Sequence, residues 1–196
     1  MSRISSGNVI IFSHFYNYAH FYSFLVISFS QSIIKKYDRI SHLNKIRSFF
    51  MPNKKVGQIL KLFISEAQSS QRCDKSTITL DEQGVIGDKF YAKDSARSIL
   101  LTSIDSYALI KGYDIDMPHG YLGENLLIDY NPYSLSIGTQ LKIGNTILEI
   151  SQNCTICNHL SVIDKRIPKL LKNDRGIFAK TIQGGDIHVG DDVYLL

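Results

Sequence analysis

Residues 140–152 read QLKIGNTILEISQ. Two short, β-branched runs meet there at Gly144-Asn145, a pair that tolerates the positive φ of a tight two-residue connection, so the stretch predicts a β-hairpin. Working outward, similar runs bounded by Gly, Asp and Asn recur: VGQILKLFI (56–64), STITL (76–80), RSILLT (97–102), NLLID (125–129), GIFAKTI (176–182) and DDVYLL (191–196). Each reads as a strand. Only two helical patterns interrupt them. One covers about 103–111, with Ser103 as N-cap and Gly112 as the C′ stop. The other covers about 161–171, where Val162, Ile163, Ile167, Leu170 and Leu171 share a face and Pro168 marks a break or a short start. Many short strands with few helices predict a mostly β fold, a twisted sheet closed into a barrel.

Composition bounds the rest. The 196 residues are 44% hydrophobic and 20% charged, enough for a packed core. Three Cys argue against a disulfide-stapled secreted domain and for a reducing, cytoplasmic setting. The net charge of +4 divides unevenly: residues 1–50 carry six basic residues and one acid, so the remainder is close to neutral at −1. A nucleic-acid partner is therefore not expected. Residues 1–50 also hold 11 of the 21 Phe and Tyr. Their most apolar stretch, Phe21 to Phe29, is too short for a membrane-spanning helix, and His14, Asn17 and His20 precede it. We read 1–50 as an extension outside the domain, from an over-long start, with a weak membrane-associating segment and a targeting peptide as alternatives. The domain proper is 51–196, with no membrane partner expected.

Four Gly-bearing clusters punctuate the strands: Gly84 to Asp88, Gly123-Glu124-Asn125, Arg175-Gly176, and Gly184-Gly185-Asp186 with Gly190-Asp191-Asp192. Each alone reads as an ordinary turn. The segment SQNCTICNHL (151–160) contains a C-x-x-C. Zinc would need a second pair, a c-type haem would need His directly after Cys157, and a thioredoxin-like pair would need a βαβ unit. What remains is a cysteine after a strand, either an ordinary buried residue or a soft ligand or nucleophile.

In this order, G-x-x-G-D, Arg97, L-G-E-N-L, the hairpin ending in S-Q, a Cys, then R-G-I-F-A-K-x-x-x-G-G and a final G-D-x-V, the chain resembles the MOSC domain, the module named after the C-terminal part of molybdenum-cofactor sulfurases. The resemblance spans roughly Val56 to Leu196. It implies a β-barrel with a few short helices and a pocket for the pyranopterin-dithiolene molybdenum cofactor. It also implies that Cys157 is the metal ligand or sulfur-carrying thiol, with Ile156 where the family usually has Pro; Cys154, which matches no family position, we read as a packing residue of the loop. Asp88, Arg97, Gly123, Glu124, Asn125, Arg175 and Gly176 match the family's other pocket positions.

A thiolate suits a metal already bonded to sulfur. The cofactor's phosphate suits Arg97 and Arg175 with backbone N–H groups of the Gly turns. Alternatively, each arginine pairs internally with Asp88 or Glu124. Two functions follow from the resemblance. One is reduction of an N-hydroxylated base or amine, a small-molecule substrate, with electrons from a separate flavin or iron–sulfur partner, since no G-x-G-x-x-G follows a strand. The other is a non-catalytic carrier that hands cofactor or sulfur to a client molybdoenzyme.

Overall fold

The structure is a computed structural model that describes residues 53–67, 72–154 and 158–196. The extension read over 1–50 lies outside the described residues. In chain order the elements are β1 (Lys54–Ser65), β2 (Arg72–Lys75), β3 (Thr77–Asp81), β4 (Gly84–Val85), β5 (Ile99–Ser103), α1 (Ile104–Lys111), β6 (Leu126–Ile128), β7 (Gln140–Ile143), β8 (Thr146–Asn153), α2 (Ile167–Leu170), β9 (Ile177–Gln183), β10 (Gly185–His188) and β11 (Asp192–Leu195).

Seven of the strands close into a barrel in the order β1-β11-β7-β8-β9-β5-β6 and back to β1. The predicted hairpin is present as β7 and β8, with Ile143 opposite Thr146 and Gly144 at φ +54°. Closure depends on β1. Its first half pairs with β11, Lys54 opposite Leu195, and its second half pairs with β6, Ile59 opposite Ile128. Register shifts at 55–57 and 59–61 bend the strand between these partners, which is how a single long strand serves two edges. At the first bend Gly57 lies so close to the 129–130 turn that a Cβ would sit 2.5 Å from Asp129 Oδ1 and 2.7 Å from Tyr130 Cβ. All barrel pairings are antiparallel except β5 with β6, whose connection carries α1.

The core follows the period of two. Leu141, Ile143, Leu148, Ile150, Ile177, Ala179 and Val193 point inward and are fully buried. Strand β5 is buried throughout because both its faces are covered. A smaller three-stranded sheet, β10-β3-β4, adds Ile78, Leu80, Val85 and Ile187 to the same cluster. A second cluster lies under the helices, where Tyr107, Ile110, Ile115 and Met117 meet Leu122, Leu127, Leu160 and Ile167.

Two details differ from the sequence reading. Ser103 caps α1 as expected, its side chain accepting from Asp105 N at 3.1 Å. Gly112, however, remains right-handed at φ −61°, and the left-handed residue that ends the helix is Asp114 at φ +58°. Asp114 N donates to Lys111 O and Ile115 N to Ile110 O, the paired bonds of a Schellman stop, with Ile110 and Ile115 packed together in the helical cluster. The second helical pattern divides into a 3-10 turn, Asn158–Val162, and the short α2, with Pro168 in its first turn.

Candidate functional site

Between the end of β1, the 88–100 segment, the 120–125 loop and the start of β9 lies a cavity of about 760 Å³. Among the described residues its basic lining is Arg72, Lys89, Lys93, Arg97 and Arg175, against a single acid, Asp94. Gly123, Asn125, Cys154 and Phe178 complete much of its wall. Of the residues singled out from the sequence, Arg97, Gly123, Asn125 and Arg175 converge on it. Asp88, Glu124 and Gly176 stand behind the wall. Cys157 lies outside the described residues.

Asp88 is the tie point beneath the cavity. Its Oδ2 accepts from Ser65 N at 2.8 Å, from Arg72 Nη1 at 3.1 Å and from Asn125 Nδ2 at 3.1 Å, and its Oδ1 accepts from Phe90 N at 2.9 Å. One carboxylate thus binds β1, β2, the residue just before β6 and its own loop together. Its ionic partner is Arg72, not Arg97 or Arg175. Burial pushes Arg72 below the ordinary arginine value, and the charges of Asp88 and Glu124 oppose that shift. Asn125 is committed on both sides of its amide, accepting from Leu100 N at 3.1 Å while it donates to Asp88.

Arg175, 5% exposed, donates through Nη2 to Leu122 O at 2.9 Å and through Nη1 to Cys154 Sγ at 3.2 Å. Cys154, read from the sequence as a packing residue, is buried and also lines the cavity. Gly123 adopts φ +87°, a left-handed backbone that favours glycine, whereas a Cβ there would make only ordinary contact with Arg175 Nη2 at 3.7 Å. Its amide does not face the cavity as an anion donor, because it is spent on Gly120 O at 3.0 Å. Gly176 serves packing: a Cβ there would meet Leu100 Cδ1 at 2.9 Å and Leu101 O at 3.0 Å.

Glu124 is fully buried, and its Oε1 accepts from Tyr107 OH at 2.5 Å and from Gly120 N at 2.8 Å. Burial, reinforced by the Glu124 charge, holds the Tyr107 phenol far above its usual range. Glu124 Oε2 has no hydrogen-bond partner among the described residues. Arg97 instead occupies the exposed lip, in a 3-10 turn (Ser95–Arg97) capped by Asp94, with its guanidinium 4.8 Å from the Phe178 ring centroid.

The sequence reading missed Arg72, Phe90, Lys93 and the cavity-lining place of Cys154. Arg72 sits in a four-residue edge strand with no motif. Phe90 and Lys93 follow directly on the G-x-x-G-D cluster, and the density of basic and aromatic residues in KFYAK (89–93) was the available signal. Among the described residues no group of three or more His, Cys, Asp and Glu is placed to hold a metal ion. Likewise, no helix among them is long and apolar enough to cross a membrane.

A family model, the MOSC domain, matches residues 88–194. No match is found among curated proteins. Among solved structures, the YuaD protein from Bacillus subtilis is similar at 16% identity and a TM-score of 0.62, over 71% of this chain and 95% of that one. YiiM from Geobacillus stearothermophilus is similar at 15% identity and a TM-score of 0.59, over 71% of this chain and 75% of that one. YiiM from Escherichia coli is similar at 17% identity and a TM-score of 0.54, over 74% and 70%. At these identities the likeness is one of fold.

Proposed function

The chain belongs to the MOSC domain family, and on that premise we propose that its cavity binds the molybdenum cofactor and that the loaded protein reduces N-hydroxylated compounds. The observation that carries this reading is the floor of the cavity, where two guanidiniums, the buried Arg175 and the largely buried Arg72, stand beside Cys154. Guanidinium forks fit a phosphate, so the donors on the floor suit that end of the group, and the soft sulfur for its metal falls to Cys157 on the family pattern. When bound, the cofactor supplies two-electron oxygen-transfer chemistry at its metal.

The chain's own residues divide the remaining work. Arg175 and Arg72 would hold the phosphate side, each oriented by a fixed acceptor, Leu122 O and Asp88. Backbone N–H groups contribute less than the glycine-rich turns suggest, since that of Gly123 is already used. Cys157 would be the metal ligand on the family pattern, and Cys154 is the cysteine that Arg175 holds against the wall.

Metal and pterin analysis of protein from a molybdenum-replete host tests the reading. Molybdenum and the pterin's fluorescent oxidation product are expected in equal amounts, and absence of both in repeated preparations overturns it. Cys157→Ser is expected to lose molybdenum with the fold intact, whereas Cys154→Ser keeps it. Turnover of an N-hydroxylated purine with an added electron donor separates a reductase from a carrier, which would only release cofactor to an apo-enzyme.

A further inference from the structure

The cavity has two tiers of different character. Below are buried polar groups; at the mouth, the large apolar side chains stand out in solvent, with Phe90 45%, Tyr121 43%, Val162 89% and Ile163 40% exposed. Exposed apolar side chains scattered singly need no explanation, but four around one opening form a surface shaped for something apolar. The same rim is positively charged. Lys89 Nζ is 5.3 Å and Lys93 Nζ 5.5 Å from the centroid of the same Phe90 ring. Lys93 is exposed and forms no ion pair among the described residues. Its neighbour Asp94 accepts from Ala96 N instead. Both ammonium groups are thus held beside the apolar lip, so an anion carried on an apolar body meets positive charge there.

We propose that this lip is a recognition subsite for an aromatic carboxylate, with the acid group taken by Lys93 and Lys89 and the ring packed against Phe90, Tyr121, Val162 and Ile163. The substrate class of the site is thereby narrowed to compounds with an apolar, ring-bearing body and a negative charge at the end that remains outside. The proposal rests on the reading above only in taking the floor as the cofactor's seat. Lys93 and Phe90 are then specificity-determining residues, and a cationic analogue of the same shape is rejected.

The test is direct binding to the full chain, with molybdenum and pterin content recorded for each preparation. Biphenyl-4-carboxylate is titrated by calorimetry against biphenyl-4-carboxamidine, which has the same rings and the opposite charge, and against acetate, which has no ring. The carboxylate is expected to bind roughly ten-fold tighter than either, a difference of about 1.4 kcal/mol. Lys93→Gln is expected to remove most of the preference over the amidine, and Phe90→Ala to weaken the carboxylate roughly five-fold. Equal binding of carboxylate and amidine overturns the proposal. So does unchanged affinity in both variants, which would place the acid on the floor arginines. Carboxylate selectivity with molybdenum and pterin absent from every preparation would sink the cofactor reading and leave this one standing, and molybdenum and pterin present without carboxylate selectivity would do the reverse.

Discussion

Replacing Asp88 by Asn probes the join beneath the cavity. The carboxylate accepts four hydrogen bonds, three on Oδ2 and one on Oδ1, and its side chain is 3% exposed. An amide fills the same space but turns one acceptor into a donor. In the better of its two orientations the oxygen keeps Ser65 N, Arg72 and Asn125, and the NH2 confronts Phe90 N–H. One hydrogen bond becomes a donor–donor contact, and Arg72, 11% exposed, loses its counter-charge. Removing one partner of a buried ion pair costs about 3–5 kcal/mol, and the little water reaching Arg72 sets the expectation near the lower end, about 3 kcal/mol. For a chain of this size that lowers the melting temperature by roughly 6–12 °C. Thermal and denaturant unfolding of Asp88→Asn, Arg72→Gln and the double variant measure it. The double variant is expected to be more stable than the sum of the single losses predicts, by at least ~1 kcal/mol. A fall within about 2 °C, or strict additivity, would show that the carboxylate is not the tie point argued here.

Three further outcomes follow from the geometry. Ser103→Ala removes the cap on Asp105 N and is expected to lower the denaturant midpoint by about 1 kcal/mol of stability with no change in slope. Gly57→Ala forces a methyl against Asp129 Oδ1 and Tyr130 Cβ and is expected to cost about 1–3 kcal/mol, and an unchanged melting curve would contradict the close approach. Burial raises the Tyr133 phenol to about 12, so its contribution is complete below the unfolded value near 10 and is lost as pH rises through 12. Tyr133→Phe is expected to be less stable at pH 7, having lost the hydroxyl that accepts from Ser103 N, yet to lose stability about 1.4 kcal/mol per pH unit more slowly between pH 10 and 12.

Most of the barrel was legible because its strands alternate. Buried Leu141, Ile143, Leu148, Ile150, Ile177 and Ala179 are spaced by two, and that pattern survives without knowledge of partners. The strands that escaped lack it. β4 is two residues long, β10 is Gly-Asp-Ile-His with one buried apolar residue, and β2 is Arg-Cys-Asp-Lys. Closure was not legible as a pairing, since β1 and β11 lie at opposite ends of the domain and no local pattern states that Lys54 meets Leu195. The site divides similarly. Arg97, Gly123, Asn125 and Arg175 reach the cavity, while Asp88 and Glu124, in the same Gly-bearing clusters, turn away to support it. Sequence brings such residues together but does not state which way a side chain points. Arg72 had no motif to announce it and became visible only once β2 paired with β1, placing Arg72 opposite Ser65.

The support beneath the cavity also bears on the rim. The segment from Asp88 to Arg97 carries Phe90, Lys93 and Arg97, and a loop of that length would ordinarily be mobile. Here it is held at three points. Asp88 fixes its start, Tyr91 OH donates to Asp81 Oδ2 at 2.6 Å in its middle, and Asp94 caps the 3-10 turn at its end. Ala92 adopts φ +61° between these anchors and donates its N–H to Gln83 O, a conformation that a non-glycine residue keeps only when its surroundings impose it. The lysines of the lip are therefore presented from a backbone already fixed, which spares a ligand the entropy of ordering it. It follows that Asp88→Asn should weaken binding at the lip through the backbone of Phe90, without replacing any lip side chain. That effect should be absent in Ser103→Ala, which removes stability at a distance from the loop. Comparing the two variants at matched folded fraction separates a held loop from a general loss of stability.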